Sequence, residues 1–464
     1  MRTPLSGLGR LPNASRRFLF FSTINVISWQ CIVGQVMILM ARSIEMPPSW
    51  VGLLIAFMPL SMLLVAGTVP LVEWLGPRRI LTLGWLFRNL ITLPVFAIPW
   101  AMVAWGREGG WLLLLLATLG FCVVRALAVG GWFPWLHEVI PPTQQGDYFA
   151  TETELTQIVN ILMAVATAII LNISDTLAGF LGVYGIGIGA GLISVIAIQF
   201  IPGGHRLPSR PPSAIPTAIS SEQNRKTSYE SVMEDPTFLR FVRLSIISMA
   251  ALMWQASASI MYLRDILGYS NTHIMMLTGA GSLGVALVIG AWGRRADHRG
   301  SNQPMIELQL GHALCALLWP ALLPDRGWTE ILALVLMVGS TIFLAAFQMV
   351  AARGMLCRVP TEGKVGYTNI WIIGSSLAMG IPPILAGMVI NHWGLAGFRL
   401  CFLISGIGGL AAGVALFRLP PEKGKPTLPH LMELIRPSQP LRALARIVWM
   451  NNESPKEAHK KDPL

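Results

Sequence analysis

The sequence has little charge. Only 12% of its 464 residues are Asp, Glu, Lys or Arg, whereas roughly 25% is ordinary for a soluble domain. The uncharged residues form repeated apolar runs of about 20 residues, each long enough to cross a hydrocarbon core about 30 Å thick at about 1.5 Å per residue. The composition therefore excludes a soluble globular protein and indicates a polytopic membrane protein.

Other absences exclude further classes of protein. The five cysteines lie far apart and form no CxxC or Cys/His cluster, so neither a disulfide framework nor a zinc site is expected. The chain has no Gly-rich phosphate loop after a strand, no HExxH and no GxSxG sequence, which argues against an enzyme and against ATP-driven transport. We expect no catalytic residue, no metal and no cofactor.

Twelve apolar runs are present, six on each side of a polar gap. We place them at residues 18–40, 49–72, 79–104, 111–136, 152–174, 180–201, 240–263, 272–292, 304–323, 330–352, 368–391 and 395–417. The sequence predicts an all-α integral membrane protein with twelve transmembrane helices in two pseudo-symmetric six-helix bundles. Its parts are an N-terminal bundle with a short N-tail (1–202), a linker (203–238), a C-terminal bundle (239–418) and a tail (419–464) in which 441–449 has the spacing of a basic amphipathic helix.

Lysine and arginine are distributed unevenly between the two sides. If the N-terminus is cytoplasmic, 27 of the 34 basic residues lie on the inner side and five lie in outer loops. Because basic residues near the spans are retained in the cytoplasm, we expect both termini and the linker to be cytoplasmic, in a bacterial cytoplasmic membrane. The net charge of +11 then reflects topology and contact with membrane lipids rather than nucleic-acid binding.

Two loops carry a similar pattern 224 residues apart. Both have an acidic residue three places before a glycine, with arginines nearby. The pattern resembles the G-x-x-x-D-R-x-G-R loop of the major facilitator superfamily, where it latches the outward-open state; a plain topogenic loop is the alternative. The matching residues are Glu73, Gly76 and Arg78 in the first copy and Gly293, Asp297, Arg299 and Gly300 in the second.

The resemblance implies a secondary transporter that alternates its access around a cavity lined by spans 1, 4, 7 and 10. Arg125 lies near the middle of span 4, where a lone guanidinium costs several kcal/mol unless it faces water or a partner. Amide side chains on the polar faces of these spans favour cavity exposure, and aromatic rings there could stack on a substrate. The candidate substrate-binding residues are Arg125, Asn25, Trp29, Gln35, Trp132, Gln255, Tyr262 and Gln348.

Two other ionisable residues within predicted spans, Arg88 in span 3 and His312 in span 9, are interpreted as structural, with His312 a minor candidate for proton coupling. No acidic residue falls near the middle of a predicted span, and Glu152 and Glu154 start span 5. Facilitated transport, anion exchange and coupling to a proton through an acid at the end of a span are therefore all open. The antiporter pattern G-x-x-x-G-P-x-x-G-G is absent from span 5, which weakens drug/proton antiport.

The sequence therefore predicts a monomeric permease for a small organic solute, anionic or amphipathic. The alternative is a non-transporting receptor, or a lipid- or pigment-binding assembly scaffold, built on the same fold.

Overall fold

The computed structural model describes residues 9, 11–140, 144–205, 232–324, 326–359 and 364–422. Within these ranges the chain is helical and has no strand. Most of the linker, and the amphipathic stretch predicted at 441–449, lie outside the described residues.

The first half of the chain forms six membrane-crossing segments, called spans 1 to 6. Span 1 consists of two helices, span 2 ends in a 3₁₀ turn, and short helices follow spans 2 and 4. The elements are Asn13–Val33 and Gln35–Ser43 (span 1), Pro48–Ser61 and Met62–Gly67 (span 2), Val69–Leu75, Pro77–Leu90 and Leu93–Ala97 (span 3), Ile98–Val129 (the end of span 3 and span 4), Trp132–Val139, Gln145–Ile173 (span 5) and Leu177–Gln199 (span 6).

The second half forms spans 7 to 12 with fewer interruptions. Its elements are Pro236–Asp265 (span 7), Asn271–Arg299 (span 8), Asn302–Leu318 and Trp319–Ala321 (span 9), Thr329–Leu356 (span 10), Lys364–Trp393 (span 11) and Leu395–Leu416 (span 12).

Ten helical stretches of the described chain are long and apolar enough to cross a membrane. One of them contains two spans, because Gly106 has a φ of 71° and bends helix Ile98–Val129 between spans 3 and 4. Span 9 is the twelfth, with a helix of 17 residues extended by the 3₁₀ turn Trp319–Ala321. The prediction of an all-α protein with twelve transmembrane helices is confirmed.

The two ends of the bundle differ. We call the end that holds Arg17 and Phe200 the terminal side, because both the start of span 1 and the end of span 6 lie there, joined by a hydrogen bond from Arg17 Nη1 to Phe200 O (2.9 Å). The start of span 7 and the end of span 12 lie there too, because the other end of span 7 pairs with the other end of span 1 through Asp265 and Arg42. The opposite end is called the far side.

The two halves are joined at the far side. Arg42, at the end of span 1, pairs with Asp265, at the end of span 7, with 2.9 Å between Nη2 and Oδ2. Asn271 Nδ2 donates to Asp175 Oδ1 at 2.6 Å, and the Arg264 guanidinium donates to the Leu39 carbonyl. These contacts connect span 1 and the loop after span 5 with spans 7 and 8.

Spans 2 and 11 cross at the far side with their backbones in contact. A Cβ on Gly52 would overlap Pro383 O, and a Cβ on Gly387 would overlap Pro48 O. Glycine is required at both positions because a side chain would separate the helices.

The hydrophobic core is shared by the two halves at the far side and divided between them at the terminal side. At the far side one cluster contains residues of both halves, such as Leu39, Leu54, Ile260 and Ile274. Towards the terminal side the core divides into one cluster from the first half and another from the second. The structure is therefore closed between the halves at the far side and opens towards the terminal side.

Candidate functional site

Arg125 lies in span 4 and is half-buried. Its Nη1 is 3.6 Å from Met62 Sδ in the 3₁₀ turn of span 2, and a thioether is only a weak acceptor. Among the described residues no carboxylate forms an ion pair with it. The guanidinium therefore keeps donors for a ligand.

Asn25 of span 1 is held by two donors from span 3. Its Oδ1 accepts hydrogen bonds from Trp85 Nε1 (2.8 Å) and from Arg88 Nη2. Both partners can only donate, so the amide oxygen must face them and the NH₂ group must point elsewhere. The half-buried Asn25 thus offers N–H groups rather than an acceptor.

Arg88 is completely buried behind Asn25. Its guanidinium carbon lies 4.6 Å from the Trp85 ring centre and 4.9 Å from that of Phe121, in cation–π contact with both. Its Nε and Nη1 have no hydrogen-bond partner in the described structure. Arg88 positions Asn25 and adds positive charge to the same wall, a role that hydropathy alone does not reveal.

Two further candidates on span 1 keep unused polar atoms. Trp29 Nε1 and Gln35 Oε1 are both buried without a partner among the described residues. A neighbouring amide pair, Gln30 Nε2 to Asn160 Oδ1 (2.7 Å), joins span 1 to span 5. This pair was not among the predicted residues, because nothing in the sequence connects positions 130 residues apart.

Two of the three candidates in the second half are amides. Gln255 of span 7 is 1% exposed, and its Oε1 has no partner in the described structure. Gln348 of span 10 is half-buried, with Nε2 4.0 Å from Met379 Sδ. Both therefore retain hydrogen-bonding capacity.

Tyr262 is placed differently from the prediction. Its hydroxyl donates to Leu322 O at 2.7 Å, and its ring packs edge-on against Trp319, Phe398 and Phe402. The side chain is fully buried and fully bonded, so it contributes to packing of the second half and does not face a ligand.

Trp132 also lies in a packed aromatic cluster, with ring centres 5.1 Å from Phe18, 5.4 Å from Phe21 and 6.1 Å from Trp85. The predicted stack of Arg125 and Trp132 assumed one continuous helix. Helix Ile98–Val129 ends before Gly130 and the next helix begins at Trp132, so the predicted stack of Arg125 and Trp132 extends across a helix boundary.

The second copy of the loop pattern forms an ion-pair network. Asp297 Oδ1 accepts from Arg353 Nε at 2.9 Å at the end of span 10, and Arg353 Nη1 also binds Glu422 Oε1 at 3.0 Å. Gly300 ends span 8 with a φ of 79°. Gly293 and Arg299 lie within the last turns of span 8 rather than in a loop.

The first copy has the same turn but different partners. Gly76 has a φ of 83°, which matches Gly300 and supports the 224-residue repeat. Arg78 Nη2 donates to Gln199 O at 2.8 Å, and Arg78 N–H donates to Gly204 O at 2.8 Å. Glu73 is exposed.

An acidic side chain also reaches the interior between spans 1 and 5. Glu152 Oε1 accepts a hydrogen bond from the buried Ser22 Oγ at 2.6 Å. Ser22 lies one turn before Asn25, so Glu152 is on the same wall as the arginines. No group of three His, Cys, Asp or Glu side chains in the described chain could hold a metal ion.

Twelve helices in two bundles that share a core at one end and have separate cores at the other form an architecture that alternating-access transporters use. A variant of the nucleoside transporter NupG aligns with 88% of this chain and 100% of its own, at 12% identity and a TM-score of 0.66. A D-xylose-proton symporter aligns with 89% of this chain and 99% of its own, at 14% identity and a TM-score of 0.64. The peptide transporter POT in complex with sulfate aligns with 89% of this chain and 95% of its own, at 12% identity and a TM-score of 0.67.

The family comparison agrees with the fold. Residues 244–452 match the family model of the Major Facilitator Superfamily. No match is found among curated protein sequences. The resemblance to the major facilitator superfamily is confirmed, since the chain has the fold of these transporters and its second half matches their family model. Both comparisons point to a transporter of this superfamily.

Proposed function

We propose that this protein carries a small organic anion, or an amphipathic solute with an anionic group, across the membrane by alternating access. The observation that carries the proposal is the set of unused donors that Arg125 and Asn25 provide on spans 4 and 1. Arg125 has no carboxylate partner among the described residues, and the Asn25 oxygen is already taken by Trp85 and Arg88. Positive charge and N–H groups suit a carboxylate, phosphate or sulfonate.

The orientation follows from the basic residues. If the terminal side is cytoplasmic, as the positive-inside rule indicates, the structure is inward-facing. The Arg42–Asp265 pair and the crossing at Gly52 and Gly387 then close the outer entrance. We assign the protein to a bacterial cytoplasmic membrane, working as a monomer with both termini inside.

Three modes of transport are open: coupling to a proton, exchange for another anion, and uniport. Glu152 is the candidate proton carrier, because it reaches the interior and binds Ser22. A proton-coupled protein would lose pH-driven uptake in Glu152→Gln but keep exchange of internal for external substrate. An anion exchanger or a uniporter would be insensitive to this substitution.

A thermal-shift screen of the purified protein against a library of organic anions tests the proposal. A matching anion should raise the melting temperature of the natural protein and of Arg326→Gln, which loses an exposed arginine of the far side. It should not stabilise Arg125→Gln. If lipids or pigments alone stabilise all three proteins equally, the receptor or scaffold function replaces this proposal.

A further inference from the structure

Two cavities of the first half are separate from the substrate site. Both flank the terminal-side end of span 6. The larger has a volume of about 680 Å³ and lies between the start of span 3 and the end of span 6. Its lining includes Arg78, Arg79, His205 and Gln199, with Leu75 and Leu83 on the apolar wall.

Arg78 is fixed at the rim of this cavity. Its backbone N–H and its Nη2 bind the carbonyls of Gly204 and Gln199, each at 2.8 Å. Its remaining guanidinium donors, and those of the exposed Arg79, lie around the same space. No Asp or Glu is among the described lining residues, and the nearby Glu138 accepts the Gly204 N–H at 2.9 Å. The cavity is therefore basic at its rim.

The wall one helical turn beyond the arginines is formed by Thr82 and the apolar Leu83. Leu83 is 41% exposed on the outer surface of span 3, so the cavity continues onto the surface that contacts lipid tails. The guanidinium groups lie nearer the membrane surface than the leucine, as the phosphate headgroup of a phospholipid lies nearer the surface than its acyl chain. A soluble phosphate ester would leave the apolar wall uncovered.

The second cavity repeats this chemistry on the other side of span 6. It has a volume of about 290 Å³. Arg16 and Arg17 lie beside Phe20 and Phe200, and Arg17 Nη1 binds Phe200 O at 2.9 Å. Arginines thus bind the last carbonyls of span 6 from both sides, each above an apolar surface.

We propose that the cavity of Arg78 and Arg79 binds the phosphate group of an anionic phospholipid, with one acyl chain along Leu83. Arginine suits phosphate because its planar fork can donate two parallel hydrogen bonds. The bound lipid would join the loop after span 2 to the end of span 6. The inference does not depend on the identity of the transported solute.

Native mass spectrometry of the full-length protein in detergent tests this site. Phosphatidylglycerol and phosphatidylcholine with identical acyl chains are added to the natural protein, to Arg78→Gln/Arg79→Gln and to Arg240→Gln/Arg243→Gln. The last pair removes the same charge from exposed positions at the start of span 7. Arg79→Gln alone is included because Arg79 makes no hydrogen bond in the described structure, so its loss should not disturb folding.

The natural protein should retain phosphatidylglycerol in preference to phosphatidylcholine. Retention should fall about fivefold for each arginine lost from the cavity, and it should stay near the natural value in Arg240→Gln/Arg243→Gln. Equal loss in both double variants, or equal retention of the two lipids, would overturn the site. Displacement of the lipid by millimolar glycerol phosphate would overturn the assignment to a lipid in favour of a soluble phosphate ester.

Discussion

At the scale of single residues, the polarity of the candidate site depends on how the amide of Asn25 is held. Trp85 and Arg88 both donate to its oxygen, and this leaves only N–H groups for a ligand. A buried arginine without a carboxylate is costly, so Arg88 places an uncompensated charge next to the site. In the proposed function, the two residues act together to make this part of the site favour anions.

Asn25→Asp separates the effects on ligand and on fold. The new carboxylate would pair with Arg88, so the melting temperature should rise. The same negative charge would repel an anion bound near Arg125, and its affinity should fall about tenfold or more. Thermal unfolding and ligand titration measure the two effects. Asn160→Asp, the same change on span 5 away from Arg88, is the control, and an unchanged affinity in Asn25→Asp would contradict the proposed role of the unused donors.

Glu422 is a second residue with a testable charge. Burial alone would raise the pKa of its carboxyl, but hydrogen bonds from Ser301 N–H and the Cys357 thiol, and the charge of Arg353, lower the pKa below the ordinary value of 4.5. Because the folded-state pKa is depressed, the ionised carboxylate stabilises the fold above the pKa of the unfolded chain. This stabilisation is lost as the pH falls through the folded-state pKa.

Glu422→Gln should therefore lower stability by about 1–3 kcal/mol at pH near 7, and the difference from the natural protein should shrink below a pH of about 4.5. Melting temperatures measured across this pH range check the prediction. Glu234→Gln, an exposed acid before span 7, should behave like the natural protein at every pH. A difference that is constant with pH would show that Glu422 acts through packing alone.

At the scale of helices, hydropathy predicts positions well because each span must present about 20 apolar residues to lipid. It predicts ends less well. Span 8 was expected to end near 292, but the helix continues to Arg299, since only Gly300, with its positive φ, ends it. Trp132 was expected to stack with Arg125, but its ring packs against Phe18, Phe21 and Trp85, contacts that a periodic pattern does not show.

Pairings between spans could not be predicted at all. The contacts of Arg88 with Asn25 and of Glu152 with Ser22 join residues 63 and 130 positions apart. Helical periodicity gives a face but not the neighbour that covers it. This is why one polar stripe on span 7 contains both Gln255, whose oxygen has no partner among the described residues, and Tyr262, which is bonded to Leu322.

The crossing of spans 2 and 11 gives a prediction at this scale. Gly387→Ala would force the helices apart at the far side, at a cost of about 1–3 kcal/mol to the closed arrangement, so the population open at the far side should grow. Distances between spin labels on the exposed Trp105 and Leu395, in a background with Cys357→Ser, measure this shift. Gly189→Ala is the control, since a Cβ there meets no atom within 4 Å. Identical distance distributions in the two variants would contradict a gating role.

At the scale of the whole molecule, the two halves share a core on one side and have separate cores on the other. The duplicated architecture could be predicted from the repeat at Gly76 and Gly300, but the open side could not. The two states of an alternating-access protein have the same sequence and differ by only a few kcal/mol. Which state is occupied therefore depends on contacts such as Arg42–Asp265.

Flux through reconstituted protein tests the central claim most directly. An anion found to stabilise the protein is loaded outside vesicles that contain the natural protein, Arg125→Gln or Arg326→Gln, and its entry is followed with time. We predict saturable entry with the natural protein and with Arg326→Gln, and no entry above empty vesicles with Arg125→Gln of unchanged fold. Equal entry through Arg125→Gln would contradict the assignment of Arg125, and binding without entry in the natural protein would contradict transport itself.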